Sequence, residues 1–269
     1  MVWMTKTILV VVLFLSALLW AAEARAEISI GAGVERFSWS EYLSTGERVV
    51  SEPGARSVFL SSWIQEKREG PLFGANIKLS NGTVTYNGQE QLTGKSVQTQ
   101  TTYSDLTIEG NLVFRSLLRS VSGLNLQTSL GLDHWTRNIG GGQVEIYNIL
   151  FIKIGPSWRP SIDKEGIHMG GGAKYPIYTL EDAYLPNQGY DQNPYLHPGQ
   201  NFSFYLEGGY RFNSGWELSA YYDTFRFSKS PVELVTKQGT IYYEVWQPES
   251  TMDLVGLLLT IHLPEPSSQ

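Results

Sequence analysis

The feature that most constrains this chain is a repeated alternation of apolar with polar or small residues over stretches of about ten residues. Phe202, Phe204, Leu206, Tyr210 and Phe212 share one parity, against Ser203, Tyr205, Glu207 and Arg211 on the other. Leu106, Ile108, Gly110, Leu112 and Phe114 face Asp105, Thr107, Glu109, Asn111 and Arg115 in the same way. The pattern returns at Phe73 to Ser80 and at Leu124 to Leu132. A period of two puts the two sets on opposite faces of a strand. After residue 26 no run of 18 apolar residues occurs. A bilayer admits only helices and closed barrels, so if this chain enters a membrane it does so as a barrel.

The beginning of the chain reads as an export signal. Lys6 supplies positive charge, Ile8 to Trp20 is apolar apart from Ser16, and Ala24-Arg25-Ala26 is an A-x-A cleavage site. The expected organisation is a signal peptide over 1–26 and a single outer-membrane barrel with long extracellular loops over 27–269. The chain contains no cysteine, which removes disulfides and thiol chemistry. Without the signal the balance is 18 basic against 25 acidic residues, and nothing in it suggests a nucleic-acid partner.

Counting weaker matches, strands are expected near 28–40, 56–66, 72–82, 101–115, 124–137, 145–158, 166–178, 201–212, 216–227 and 252–263. That is an all-β, antiparallel transmembrane barrel of ten strands, with eight or twelve as alternatives because strand two is ambiguous. Connections after strands two, four, six and eight are short, and those after one, three, seven and nine are long. Outer-membrane barrels show this asymmetry, with short periplasmic turns and longer outer loops. Phe73, Phe114, Trp158, Phe212 and Trp216 fall near the short turns, as an interfacial aromatic girdle requires. A soluble barrel with its apolar face turned inward is the competing architecture. In strand one Ile28, Ile30, Ala32 and Val34 share a parity that Phe37 and Trp39 break. Either a β-bulge or aromatics inside the lumen above membrane level accounts for the break.

The polar faces gather a lumen network of Lys78, Asp105, Glu109, Arg115, Asp133, Arg137, Lys153, Lys174, Glu207 and Arg211, with Asp223 a further member. Small barrels are just wide enough to be filled by side chains, so a plug of ion pairs is favoured over a polar channel. His134, His168, His197 and His262 lack metal-ligand spacing, and no serine sits in a nucleophile elbow. No cofactor, metal or catalytic residue is implied. Two loops are rich in aromatic and amide residues: Thr179 to Gln200, with Tyr184, Tyr190 and Tyr195, and Thr240 to Ser250, with Tyr242, Tyr243 and Trp246. Such residues stack on and hydrogen-bond a surface ligand, or fold the loops over the barrel mouth.

The segment Asp253 to Leu263, with Gly256 followed by Leu259, Ile261 and Leu263, resembles the C-terminal targeting strand of bacterial outer-membrane barrels. That resemblance implies insertion by the β-barrel assembly machinery and residence among outer-membrane lipid and lipopolysaccharide. It departs from the usual pattern in lacking a terminal Phe or Trp and in extending through Pro264 to Gln269. Ten strands with tall loops also resemble the omptin proteases in architecture. Those enzymes carry an Asp pair and an Asp/His pair, whereas this chain has neither Asp-x-Asp nor Asp-x-His; Asp133-His134 are adjacent and point to opposite faces. The expectation is a monomeric, non-enzymatic outer-membrane barrel with a structural or surface-binding role. The alternatives are a narrow pore, then a hydrolase acting on peptide, lipid or lipopolysaccharide.

Overall fold

The structure, a computed structural model, describes residues 26–65, 70–89, 94–117, 120–140, 142–159, 165–239 and 241–263. The expected export signal, apart from Ala26, and the extension after Leu263 lie outside the described residues. In chain order the strands are β1 (Ala26–Tyr42), β2 (Arg48–Gln65), β3 (Leu72–Gln89), β4 (Ser96–Phe114), β5 (Leu124–Ile139), β6 (Gln143–Trp158), β7 (Gly166–Asp182), β8 (Tyr195–Leu196), β9 (Gly199–Gln200), β10 (Ser203–Arg211), β11 (Trp216–Ser228), β12 (Glu233–Lys237), β13 (Ile241–Val245) and β14 (Glu249–Leu263). A 3-10 turn spans Leu185–Gln188.

Antiparallel pairing runs β10-β11-β14-β1-β2-β3-β4-β5-β6-β7, and β10 pairs back onto β7. The result is a closed barrel of ten strands, in which no long edge is left unpaired. The outward parity carries the apolar set. Val34, Leu130, Ile154, Ile167, Leu206, Leu218 and Leu257 are each at least half exposed, an outward apolar band that only a bilayer covers favourably. Phe73, Phe114, Phe212 and Trp216 are exposed at the short-turn end, where a girdle belongs. The soluble alternative, with its apolar face inside, does not describe this wall.

The turn at Asn213-Ser214-Gly215 shows how the short connections close. Phe212 N–H donates to the Trp216 carbonyl at 2.8 Å, and Gly215 supplies the positive φ of 81° that the reversal needs. A second demand for glycine lies on the wall between β6 and β7. A Cβ at Gly155 would stand 2.7 Å from the Cα of Gly172, so side chains there would force the strands apart.

Strand one contains no bulge where Phe37 and Trp39 change the apolar parity. Its register with β14 is continuous from Ile28 to Tyr42, and with β2 it shifts only between Glu41 and Tyr42. Phe37 and Trp39 are fully buried inside the barrel. Strand two reads ambiguously because its ladder with β3 is interrupted between the Ser51–Asn87 and Ser57–Asn81 pairs. Pro53 and Gly54 lie in that gap, and proline has no N–H to donate.

Two of the expected long loops, 41–55 and 82–100, are largely strand. β1 and β2 continue to a turn beginning at Leu43, and β3 and β4 extend toward Gln89 and Ser96. Above the bilayer both faces of a strand tolerate polar residues, so Thr83, Thr85, Gln98 and Thr102 continue the ladder after the apolar signal has ended. Thr83 and Thr102 share a hydrogen bond of 3.2 Å across it.

Candidate functional site

The lumen is layered. Nearest the loop end, β1, β2, β5 and β6 turn Glu41, Glu52, Arg137 and Glu145 toward one another. Arg137 donates to Glu41 at 2.8 Å, to Glu52 at 2.7 Å and to Glu145 at 2.7 Å. Trp39 Nε1 donates to Glu41 at 2.8 Å, Thr101 Oγ1 donates to Glu52 at 3.1 Å, and the Tyr103 hydroxyl also donates to Glu52. Against this knot packs an apolar cluster in which Trp39, Tyr103, Trp135, Tyr147, Phe151, Phe225 and Phe227 are essentially inaccessible. Trp135 and Tyr147 stack at 4.0 Å, and the edge of Trp39 meets Trp135 at 5.2 Å. Each such pair adds about 0.5–1.5 kcal/mol beyond its area.

A second ionic layer lies toward the middle. Arg56 Nε donates to Glu35 at 2.8 Å, and the same guanidinium pairs with Asp105 at 2.5 Å. Its carbon lies 4.2 Å above the Phe37 ring. Lys78 pairs with Glu35 at 3.5 Å, Lys153 with Glu109 at 2.9 Å and Asp223 at 3.3 Å, and Lys174 with Asp223 at 2.7 Å. At the short-turn end His262 sits between Glu27 and Glu217, which accepts at 3.0 Å; Arg211 pairs with Glu27 at 2.8 Å, and His168 approaches Glu217 at 3.4 Å.

Nine of the ten lumen residues expected from sequence thus point inward; Asp133 accepts from Thr107 at 3.1 Å and Glu207 lines the lower lumen. The exception is Arg115. It follows the last residue of β4, and its Nε donates to the Gly70 carbonyl at 3.2 Å across adjacent turns. The ladder ends before the inward parity can place it in the lumen. Sequence reasoning missed Glu35, Glu41, Glu52, Arg56, Glu145 and Glu181. The available signal was parity: Glu35, Phe37, Trp39 and Glu41 continue the inward set of β1 without a break.

The two aromatic loops dock on each other. Asp191 N–H donates to the Thr236 carbonyl at 2.9 Å, Thr236 Oγ1 and Gly239 N–H each donate to Asp191 Oδ2 at 2.8 Å, and Lys237 Nζ donates to the Gln188 carbonyl at 3.2 Å. The hydrogen bonds from Gly239 and Thr236 hold the Asp191 carboxyl below the ordinary aspartate range. Of the six loop aromatics, Tyr190 and Tyr243 are spent on this packing and Trp246 on its own loop. Tyr190 meets Tyr243 at 5.4 Å, and Lys229 lies 4.4 Å over Trp246. Tyr184, Tyr195 and Tyr242 remain exposed. Tyr184 also holds φ at 46°, the left-handed region that costs a non-glycine residue about 1–3 kcal/mol.

No histidine meets a carboxylate at the loop end among the described residues. His134 contacts Asn148 at 2.9 Å and His197 contacts the Thr179 carbonyl at 3.1 Å.

No protein-family model and no curated protein sequence matches the chain. Solved structures do. The outer membrane protease OmpT from Escherichia coli is similar over 88% of this chain and 96% of its own, with 13% identity and a TM-score of 0.53. An outer membrane channel from Pseudomonas putida F1 covers 89% and 96%, at 6% identity and a TM-score of 0.45. The translocator domain of the autotransporter NalP from Neisseria meningitidis covers 88% of each chain, at 8% identity and a TM-score of 0.43. At such identities the likeness to OmpT speaks for fold alone. With the apolar outer wall described above, the chain has the fold of a bacterial outer-membrane β-barrel and is built to lie in a bilayer.

Proposed function

We propose that this is a non-conducting outer-membrane barrel whose loop end is a binding surface. The observation that carries the reading is the occupied outer half of the lumen, where the Arg137 knot and the stacked aromatics of β1, β4, β5, β6 and β11 fill the cross-section. A passage there would require breaking buried ion pairs, at about 3–5 kcal/mol for each partner removed. What remains exposed is the platform of two tied loops, with Tyr184, Tyr195 and Tyr242 presenting rings beside amides and carboxylates. Rigid aromatic rings on a braced loop suit a sugar face or a protein patch. Lipopolysaccharide and membrane lipid are the standing neighbours of the wall, and the C-terminal strand suits the barrel assembly machinery.

A pore is the second reading. The lower half of this lumen is hollow, which is the observation that favours it. The loop-end histidines face an amide and a backbone carbonyl, which supports a binding rather than a catalytic role. The test pairs two assays. Liposomes carrying the purified barrel should not swell in arabinose. The detergent-purified barrel should retain oligosaccharides from lipopolysaccharide, and combined alanine substitution of Tyr184, Tyr195 and Tyr242 should abolish retention. Swelling, or retention unchanged by the substitutions, would contradict the proposal.

A further inference from the structure

The short-turn half of the lumen is a chamber of about 320 Å³, within the size range of small-molecule sites. It exists because Ser29, Ser62, Gly74, Ser157 and Ser219 line it where larger side chains would fill it. Its lining runs from the strand ends at Trp158 and His262 up to Lys78, Asp133 and Leu254, and the aromatic layer lies beyond. The chamber is therefore blind toward the loop end.

Its charge is unbalanced. Lys78, Lys153, Arg159 and Lys174 line it against Glu27, Glu109, Asp133, Glu207, Glu217 and Asp223, an excess of two carboxylates with histidine neutral. Most of these are paired as described. Among the described residues, Asp133 and Glu207 have no cation within 4.0 Å. Asp133 is 7% exposed, and its one hydrogen bond comes from Thr107. A carboxylate buried without a paired cation is costly, as Asp133 is, and Glu207 faces the open chamber with no ion-pair partner, so the chamber offers a cation two separate places. Among the described residues no three His, Asp or Glu side chains converge to hold a metal ion. A compact ion would satisfy one carboxylate and leave the other. An elongated cation with ammonium groups spaced along it satisfies both.

We propose that the chamber between Asp133 and Glu207 binds a linear aliphatic polyamine admitted from the short-turn end. This does not depend on the surface-binding reading. The test is calorimetric titration of the folded, detergent-purified barrel with spermidine, and with butylamine and magnesium for comparison, at about 0.15 M salt. Spermidine should bind saturably and at least tenfold more tightly than butylamine or magnesium. Glu207→Gln and Asp133→Asn should each weaken binding roughly tenfold, the scale of one charge-assisted hydrogen bond. Ser157→Phe, which fills the chamber and keeps every charge, should abolish it. Heat-modifiable migration establishes which variants fold, and any one folded variant decides the question. The proposal is overturned if wild type shows no saturable binding, if magnesium binds as tightly, or if a folded variant binds spermidine as wild type does.

Discussion

At the scale of single residues, Arg137 is the most demanding position. Its guanidinium holds three carboxylates at 2.7–2.8 Å in a site nearly closed to solvent. Arg137→Met leaves those acids buried without a cation, and urea unfolding of the reconstituted barrel should register a loss of about 3–5 kcal/mol. Arg137→Lys should recover only part of it, because an ammonium cannot present a planar fork to several carboxylates. Tyr242→Ala, at an exposed ring, should change stability by less than about 0.5 kcal/mol. Asp191 gives a pH dependence. Its carboxyl titrates below the ordinary range in the folded loops, so the tie to Thr236 and Gly239 is present above the unfolded value of about 4 and is lost as pH falls through the lower folded value. The protection of the Gly239 amide, its exchange rate taken relative to the unstructured rate at the same pH, should be constant from pH 6 downward and fall only in the acidic part of the range to pH 2. Asp191→Ala should show the lower protection throughout.

At the scale of elements, what was legible in the sequence is what the bilayer enforces. Each membrane-crossing stretch has one face in lipid, so Leu106, Ile108, Leu112 and Phe114 announce β4 and its parity. The same strand above the bilayer, Ser96 to Gln100, has polar residues on both faces and reads as loop. The upper lumen was legible only in part. The parity break at Phe37 and Trp39 left inward aromatics as one of two readings and Arg137 was expected inside, but the layer they build emerges only when Trp135, Tyr147 and Phe227 arrive from distant strands. The bulge of β7 was equally hidden: Leu150 pairs with Tyr178 and Phe151 with Pro176, leaving Ile177 as the extra residue. Glycine placement carries a prediction at this scale. Gly155→Val puts side-chain atoms into the backbone of Gly172, and the β6–β7 seam should fail to close. The variant should lose the heat-modifiable band on electrophoresis, whereas Ile154→Val on the lipid face of the same strand should keep it.

At the scale of the molecule, the barrel divides across its length. The outer half is packed with rings and ion pairs, the inner half is a charged chamber, and two braced loops cap the outside. A barrel of ten strands is slightly wider than side chains alone fill with ease, and the aromatic layer is how this sequence closes the difference. On the function proposed above, this layer seals the lumen. The most direct test is single-channel recording of the purified barrel in a planar bilayer at 1 M KCl. A silent membrane is expected at moderate voltage, with Trp135→Ala together with Arg137→Ala producing discrete steps. Steady conductance from the wild-type barrel would contradict it.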